Sequence, residues 1–423
     1  MVTLTHPGWG VGLVAYGDGR QGGGWSGIGL LTALPAHEES DTMQDRWSRL
    51  TAPLAWLMGL ALVAGLGVAM PARAENEYIR VEEHVARHPE QRALMAQFAE
   101  QVRAPAVPLA TPPETPVRIA VVYPGLQTSD YWRRSLVSFE SRLARLDIPY
   151  ELKAFFSRPS VDVDLQAKQL AEALAWEPDY LVFTLDALPH KRIIERLLAR
   201  GEPRLILQNI TTPLAEWQGH LPFLHVGFDH AQGTRLIADW MLERADQRGK
   251  YLMLYFTPGY VSRMRGGTFA AMAADYPEVE QVAAFYTDGD SDQAYRATRR
   301  TLEAHPDLAM IFASATDVAL GALRALREAG REETVLLNGW GGGAAELEAL
   351  AAGGLDVTAM RLNDDNGIAM AEALKLDLSG QARQVPDIFA GDIALITRDM
   401  SPGAIERLER RAFRLSEPSS ESP

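Results

Sequence analysis

Gln127 and Ser129 stand just past the apolar run IAVVYP, where an amide and a hydroxyl can both donate and accept hydrogen bonds, and Trp132 adds a flat apolar face. The arrangement recurs along the chain. Asn209 ends the run LILQNI, Arg265 falls in PGYVSRMRGG just past YLMLYF, and Thr316 and Asp317 follow MIFASA. Trp340 sits in NGWGGG, and Arg361 closes VTAM. Several have a plainer reading. Ser129 or Asp130, and Thr316 or Asp317, are side chains that cap helices. Asn before a turn commonly bonds its own backbone, and Arg361 has Asp364 and Asp365 nearby as ion-pair partners. Arg265 lies near a helix start, where a cation gains nothing from the macrodipole unless an anion faces it. The glycines after Trp340 would let backbone approach a ligand closely. Together, two arginines, two amides, hydroxyls and two tryptophans at successive strand ends suit a small, flat, hydroxylated ligand carrying negative charge.

The elements that must position them are β-branched apolar runs alternating with amphipathic helical stretches. Strands are expected at 118–124, 150–156, 180–185, 204–210, 224–228, 251–256, 282–286, 310–315, 335–340, 356–361 and 391–397. Runs such as IAVVY, YLVFTL and YLMLYF are apolar throughout, as strands of a parallel sheet covered on both faces are. This predicts an α/β fold: two Rossmann-like lobes with parallel-sheet cores, joined by a multi-strand hinge around a cleft. Lobe 1 is expected from residues 117–230 plus 362–388, and lobe 2 from 231–361 plus 389–400, with a C-terminal helix and tail at 401–423. Because ligands in open α/β sheets lie outside the carboxyl ends of the strands, the residues above converge on that cleft.

Upstream, Arg46 and Arg49 precede an apolar run from Leu54 to Met70, and Pro71-Ala72-Arg73-Ala74 offers an A-x-A cleavage site. Residues 43–74 are read as an export signal cleaved near Ala74, giving a periplasmic chain, with an uncleaved anchor as the alternative. Residues 1–42, Gly-rich and without periodicity, are expected to be a mis-called upstream segment ahead of a start at Met43. Residues 75–116 read as a helix followed by a proline-rich linker, since Pro105, Pro108, Pro112, Pro113 and Pro116 stop any helix.

Composition narrows the function. The 423 residues contain no cysteine, which excludes disulfides, zinc–thiolate sites, Fe–S clusters and thiol nucleophiles. With Lys+Arg 41 against Asp+Glu 55, the net charge of −14 argues against a nucleic-acid partner. No Gly-x-Ser-x-Gly, His-Glu-x-x-His or P-loop motif is present, so no enzyme, resident cofactor or metal is expected. The nine histidines lack metal-ligand spacing, and His88 and His190 are expected at the surface. GWGGGA meets a loose dinucleotide pattern, but Asp356, the acidic residue at a suitable distance, begins a strand instead of ending one.

The stretches VVYPGLQTSDYW, ILQNITTP, FLHVGFDHAQG, LYFTPGY, SATDVALGA, LNGWGGGAAELEAL and LDVTAMRLNDDNGIAMAEA resemble the LuxP-type autoinducer-2-binding proteins, within the ribose-type periplasmic binding proteins. The resemblance runs from about Tyr78 to Ser416. It implies a type I periplasmic binding protein fold, with ligand contacts from Gln127, Ser129, Trp132, Asn209, Arg265, Thr316, Asp317, Trp340 and Arg361. It implies a furanosyl borate diester as ligand, boron entering only as part of it, and a LuxQ-type membrane sensor kinase as partner in quorum sensing. The alternative on the same fold is the sugar-binding component of an ABC importer. A neutral sugar wants an acidic acceptor near the strand end that here reads Asn338-Gly339-Trp340.

Overall fold

The computed structural model describes residues 78–417 apart from 186, 187 and 218. The upstream segment at 1–42, the export signal at 43–74 and the end of the C-terminal tail lie outside the described residues. No helix among the described residues is long and apolar enough to cross a membrane.

Helices α1 (Val81–Arg87) and α2 (Pro89–Arg103) come first, separated at His88 because Pro89 has no N–H with which to continue the ladder. There follow β1 (Val117–Tyr123), α3 (Tyr131–Arg145), β2 (Tyr150–Phe156), α4 (Val163–Ala175), β3 (Tyr180–Phe183), α5 (Leu188–Arg200), β4 (Arg204–Gln208) and β5 (Leu224–Phe228). A second run starts with α6 (His230–Arg244), β6 (Gly249–Tyr255), α7 (Tyr260–Ser262), a π-helical turn (Arg263–Gly267) and α8 (Thr268–Ala273). It continues through β7 (Val279–Tyr286), α9 (Ser291–Ala304), β8 (Leu308–Ala313), α10 (Thr316–Glu328), β9 (Leu336–Gly341), α11 (Ala344–Ala351) and β10 (Val357–Arg361). The chain closes with α12 (Asp364–Leu378), β11 (Ile388–Gly391), β12 (Ile393–Thr397) and α13 (Pro402–Ala412).

These strands form two six-stranded sheets, ordered β11-β5-β4-β3-β1-β2 in lobe 1 and β12-β10-β9-β8-β6-β7 in lobe 2. The first is parallel throughout, and its interior strand β1 has Ile119, Ala120, Val121 and Val122 fully buried, as coverage on both faces requires. In lobe 2 only the edge strand β12 runs antiparallel, against β10. The two-lobed α/β architecture expected from the sequence is the one observed.

Three connections join the lobes, at Asp229, at 362–363 and at Asp392. The third corrects the expected single strand at 391–397 and the lobe boundary at 388/389. Gly391 still pairs with Phe228 in lobe 1, whereas Ile393 pairs with Arg361 in lobe 2. A strand that changes sheet keeps its β pattern through the crossing, so only Asp392 marks it. Arg103 holds the Asp392 carboxylate at 2.8 Å, and Leu362 N–H donates to the Asp392 carbonyl at 3.0 Å, tying two crossings together.

The N-terminal helices are part of lobe 1, because Phe98 and Val102 pack into its core beside Phe389. The C-terminal segment binds both lobes. Ala412 and Phe413 pack into lobe 2, while Arg411 and Arg414 hold Asp365 at 2.9 and 2.5 Å, and Arg134 of α3 stands 3.8 Å over the Phe413 ring. His190, expected at the surface, is 1% exposed and packs 5.0 Å from Phe183.

Candidate ligand-binding site

The carboxyl ends of both sheets face one cavity, about 60 Å³ for the centres of water-sized atoms. That is several times the space one buried water needs. At its mouth Thr128 N–H donates to Asp317 Oδ1 at 3.1 Å and Ala344 N–H to Asp130 Oδ2 at 3.4 Å, both across the lobes. A larger open groove of about 830 Å³ lies at the amino ends of β1, β3 and β4, lined by Pro113, Tyr180 and Pro203. It is at the wrong end of the sheet for a ligand of this architecture.

The lobe 2 wall is organised by Glu346, fully buried on α11. Its carboxylate accepts from Trp340 N–H at 3.0 Å, Gly342 N–H at 2.8 Å, and the hydroxyls of Thr316 and Thr358 at 2.6 and 2.5 Å. Four donors occupy its oxygens and fix the end of β9. Trp340 donates its indole N–H to Thr234 at 3.0 Å, and the Arg265 guanidinium carbon stands 3.6 Å above its ring. The Arg361 guanidinium carbon lies 5.8 Å from the same ring and 4.1 Å from that of Tyr131.

Arg265 comes from the π-helical turn, an irregularity that re-aims a side chain within a helix. Its Nη1 donates to the Ser314 carbonyl at 2.7 Å and its Nε to His230 Nδ1 at 3.4 Å. Arg361 Nε is buried without a partner. The plainer reading of Arg361 fails because Asp365 is held by Arg411 and Arg414, and Asp364 accepts from the backbone of Leu415 and Ser416. Arg265 and Arg361 are 4% and 6% exposed, and neither takes part in an ion pair among the described residues. Burial holds both guanidiniums below the usual arginine range, and for Arg265 the neighbouring Arg361 charge adds to the effect. Two desolvated cations therefore face one cavity without a direct carboxylate partner among the described residues, the buried Glu346 carboxylate acting on both only at longer range.

Lobe 1 supplies a mixed wall. Gln127 donates its amide to the Pro124 carbonyl at 2.9 Å, and its own carbonyl oxygen takes no donor among the described residues. Neither Ser129 nor Asp130 caps α3; the Asp130 carboxylate instead holds Arg134 at 2.6 Å. Trp132 packs 4.8 Å from Tyr123 and 4.8 Å from Tyr131. Tyr131 receives the Asn366 amide at 2.7 Å, and burial pushes its phenol up to about 12, so it is a neutral platform beneath Arg361.

Eight of the nine residues singled out from the sequence line the cavity. Asp317 does not; it bonds Thr128 at the rim. Thr316 is the first residue of α10, with its hydroxyl committed to Glu346, and gives no cap. Sequence reasoning missed Tyr131, His230 and Glu346. Tyr131 directly precedes Trp132, and its place at the strand end was a usable signal; Glu346 looks like any solvated helix residue. The glycines after Trp340 also have another role than expected. A Cβ on Gly341 would stand 2.7 Å from Arg361 Nη2, one on Gly342 would strike Met360, and one on Gly343 would strike Asp130. They make room for the protein's own side chains.

The chain is 29% identical over 175 residues to the ribose import binding protein of Salmonella typhimurium, covering 41% of this chain and 58% of that protein. The match thus spans under two thirds of that relative. Among solved structures, an ABC transporter solute binding protein from Agrobacterium vitis, bound with α-D-tagatopyranose, superposes with a TM-score of 0.61 at 18% identity, covering 69% of this chain and 98% of that one. The fructose binding periplasmic domain of a hybrid two component system superposes with a TM-score of 0.59 at 18% identity, covering 71% and 98%. A family model for the periplasmic binding protein domain matches residues 119–382. The chain belongs to that family.

Proposed function

We propose that this protein is a periplasmic receptor for a small polyhydroxylated anion, autoinducer-2 as its furanosyl borate diester, and that lobe closure on the ligand signals to a LuxQ-type membrane sensor kinase. The observation that carries the reading is the pair Arg265 and Arg361, buried without ion-pair partners among the described residues and both set against Trp340. A tetrahedral borate supplies the charge that this pair lacks, and each charge-assisted contact is worth roughly 1.5–3 kcal/mol. Glu346, the carboxylate beneath the end of β9, is occupied by four protein donors and is not offered to sugar hydroxyls.

A second reading is a sugar-binding component of an ABC importer, favoured by the likeness to ribose import binding proteins. The acceptors left for a neutral sugar are few, the Gln127 carbonyl and the Thr316 oxygen among them. A thermal-shift series separates the two readings. Autoinducer-2 in borate raising Tm while D-ribose and D-allose leave it unchanged supports the receptor; the reverse order supports the importer component.

A further inference from the structure

We infer that His230 sets the hydrogen-bonding polarity of the cleft: it holds Asn209 with its amide NH2 turned toward the ligand and fixes the tilt of Arg265, so that the base of the cavity presents donors. The inference rests on the anion reading given above and names the residue that makes the site selective.

His230 opens α6 directly after the first interlobe connection and is fully buried. Its ring is packed between Tyr260 at 5.1 Å and Trp340 at 5.0 Å. One ring nitrogen faces Arg265 Nε at 3.4 Å and the other faces the Asn209 amide at 3.1 Å. A guanidinium nitrogen only donates, so Nδ1 must present its lone pair. The ring is neutral, because burial and the two arginine charges hold His230 well below its usual range. A neutral imidazole with a bare Nδ1 carries its proton on Nε2, which must donate. The Asn209 atom that receives it is therefore the carbonyl oxygen, and the NH2 is left for the cavity that Asn209 lines.

The backbone at Asn209 cannot compensate by swivelling. Its φ is +70°, and its N–H donates to the Val226 carbonyl at 2.7 Å. On the other side, Arg265 is anchored at Ser314, so losing the His230 acceptor frees the rotation that carries its guanidinium over Trp340. His230 is thus a positioning residue acting through two groups that line the site, one from each lobe.

Proton-detected ¹⁵N spectra of the ligand-free protein read the tautomer without depending on any ligand. The expected signal is Nε2–H with unprotonated Nδ1, unchanged as pH falls below the reference histidine value of about 6.5. An Nδ1–H tautomer, or titration near that reference value, overturns the inference even if autoinducer-2 binds. Two partial mimics complete the test by calorimetry with autoinducer-2 in borate. His230→Ala should weaken binding at least tenfold. His230→Gln, whose amide reaches the Nε2 position and can donate to Asn209, should recover part of that loss. Wild-type affinity in a folded His230→Ala protein overturns the inference, as does a His230→Gln protein no better than His230→Ala. If D-ribose is the ligand instead, the anion reading fails while the tautomer result stands on its own.

Discussion

The Arg361 guanidinium fills the space that a side chain on Gly341 would need: a Cβ there would lie 2.7 Å from Nη2, at a backbone φ of +147°. Gly341, the first glycine after Trp340, is therefore a steric consequence of placing a long cation at the base of the cleft. Gly341→Ala should push Arg361 out of position and weaken ligand binding by about tenfold. Calorimetry on the folded variant checks this, and an unchanged affinity would show that Arg361 does not need that space.

Gly343 meets Asp130 across the cleft mouth, and its own φ of −77° is unstrained. A side chain there would leave each lobe intact and obstruct only their approach. Gly343→Val should keep unfolding cooperative, weaken binding and enlarge the radius of gyration in solution scattering with ligand present. Equal scattering profiles for variant and wild type with ligand would remove Asp130 from the closure contact.

Buried unpaired cations lower the stability of the ligand-free protein. Arg361→Met, apolar and similar in length, should raise the unfolding free energy of the ligand-free form by about 1 kcal/mol or more while abolishing most ligand stabilisation. Denaturant melts with and without ligand give both numbers. A destabilised ligand-free variant would mean that Arg361 has a structural role.

Much of the fold was legible because parallel strands buried on both faces must be apolar along their length, as Ile119 to Val122 are. The cavity-lining residues followed from one rule, that side chains just past the carboxyl ends meet in the cleft. Asn209, Arg265, Trp340 and Arg361 obey it. What stayed hidden depends on tertiary burial. Glu346 sits in AAELEALAAG, a stretch indistinguishable from a solvated helix until β9 folds against it. His230 sits in a helix-start sequence whose partners lie 21 and 35 residues away. The sheet change at Asp392 was invisible for the opposite reason, since the pattern continues unbroken through it.

His225, fully buried on β5 with Nδ1 3.2 Å from the Asp387 carbonyl, is pushed down to about 4 by desolvation. The unfolded chain binds a proton there below about pH 6.5 while the folded protein does not, so this contribution is present above that pH and is lost on acidification toward pH 4. It amounts to roughly 3 kcal/mol between those limits. Urea melts at pH 7 and pH 4.5 should show that loss, and His225→Phe should flatten it. An equal pH slope in the variant would assign the acid sensitivity elsewhere.

The affinity for autoinducer-2, measured by titration calorimetry with borate present and then rigorously excluded, bears most directly on whether the two guanidiniums await an anion. Binding at least tenfold tighter with borate, and no detectable heat from D-ribose, is the expected result. Affinity indifferent to borate, or tight binding of D-ribose, would contradict it.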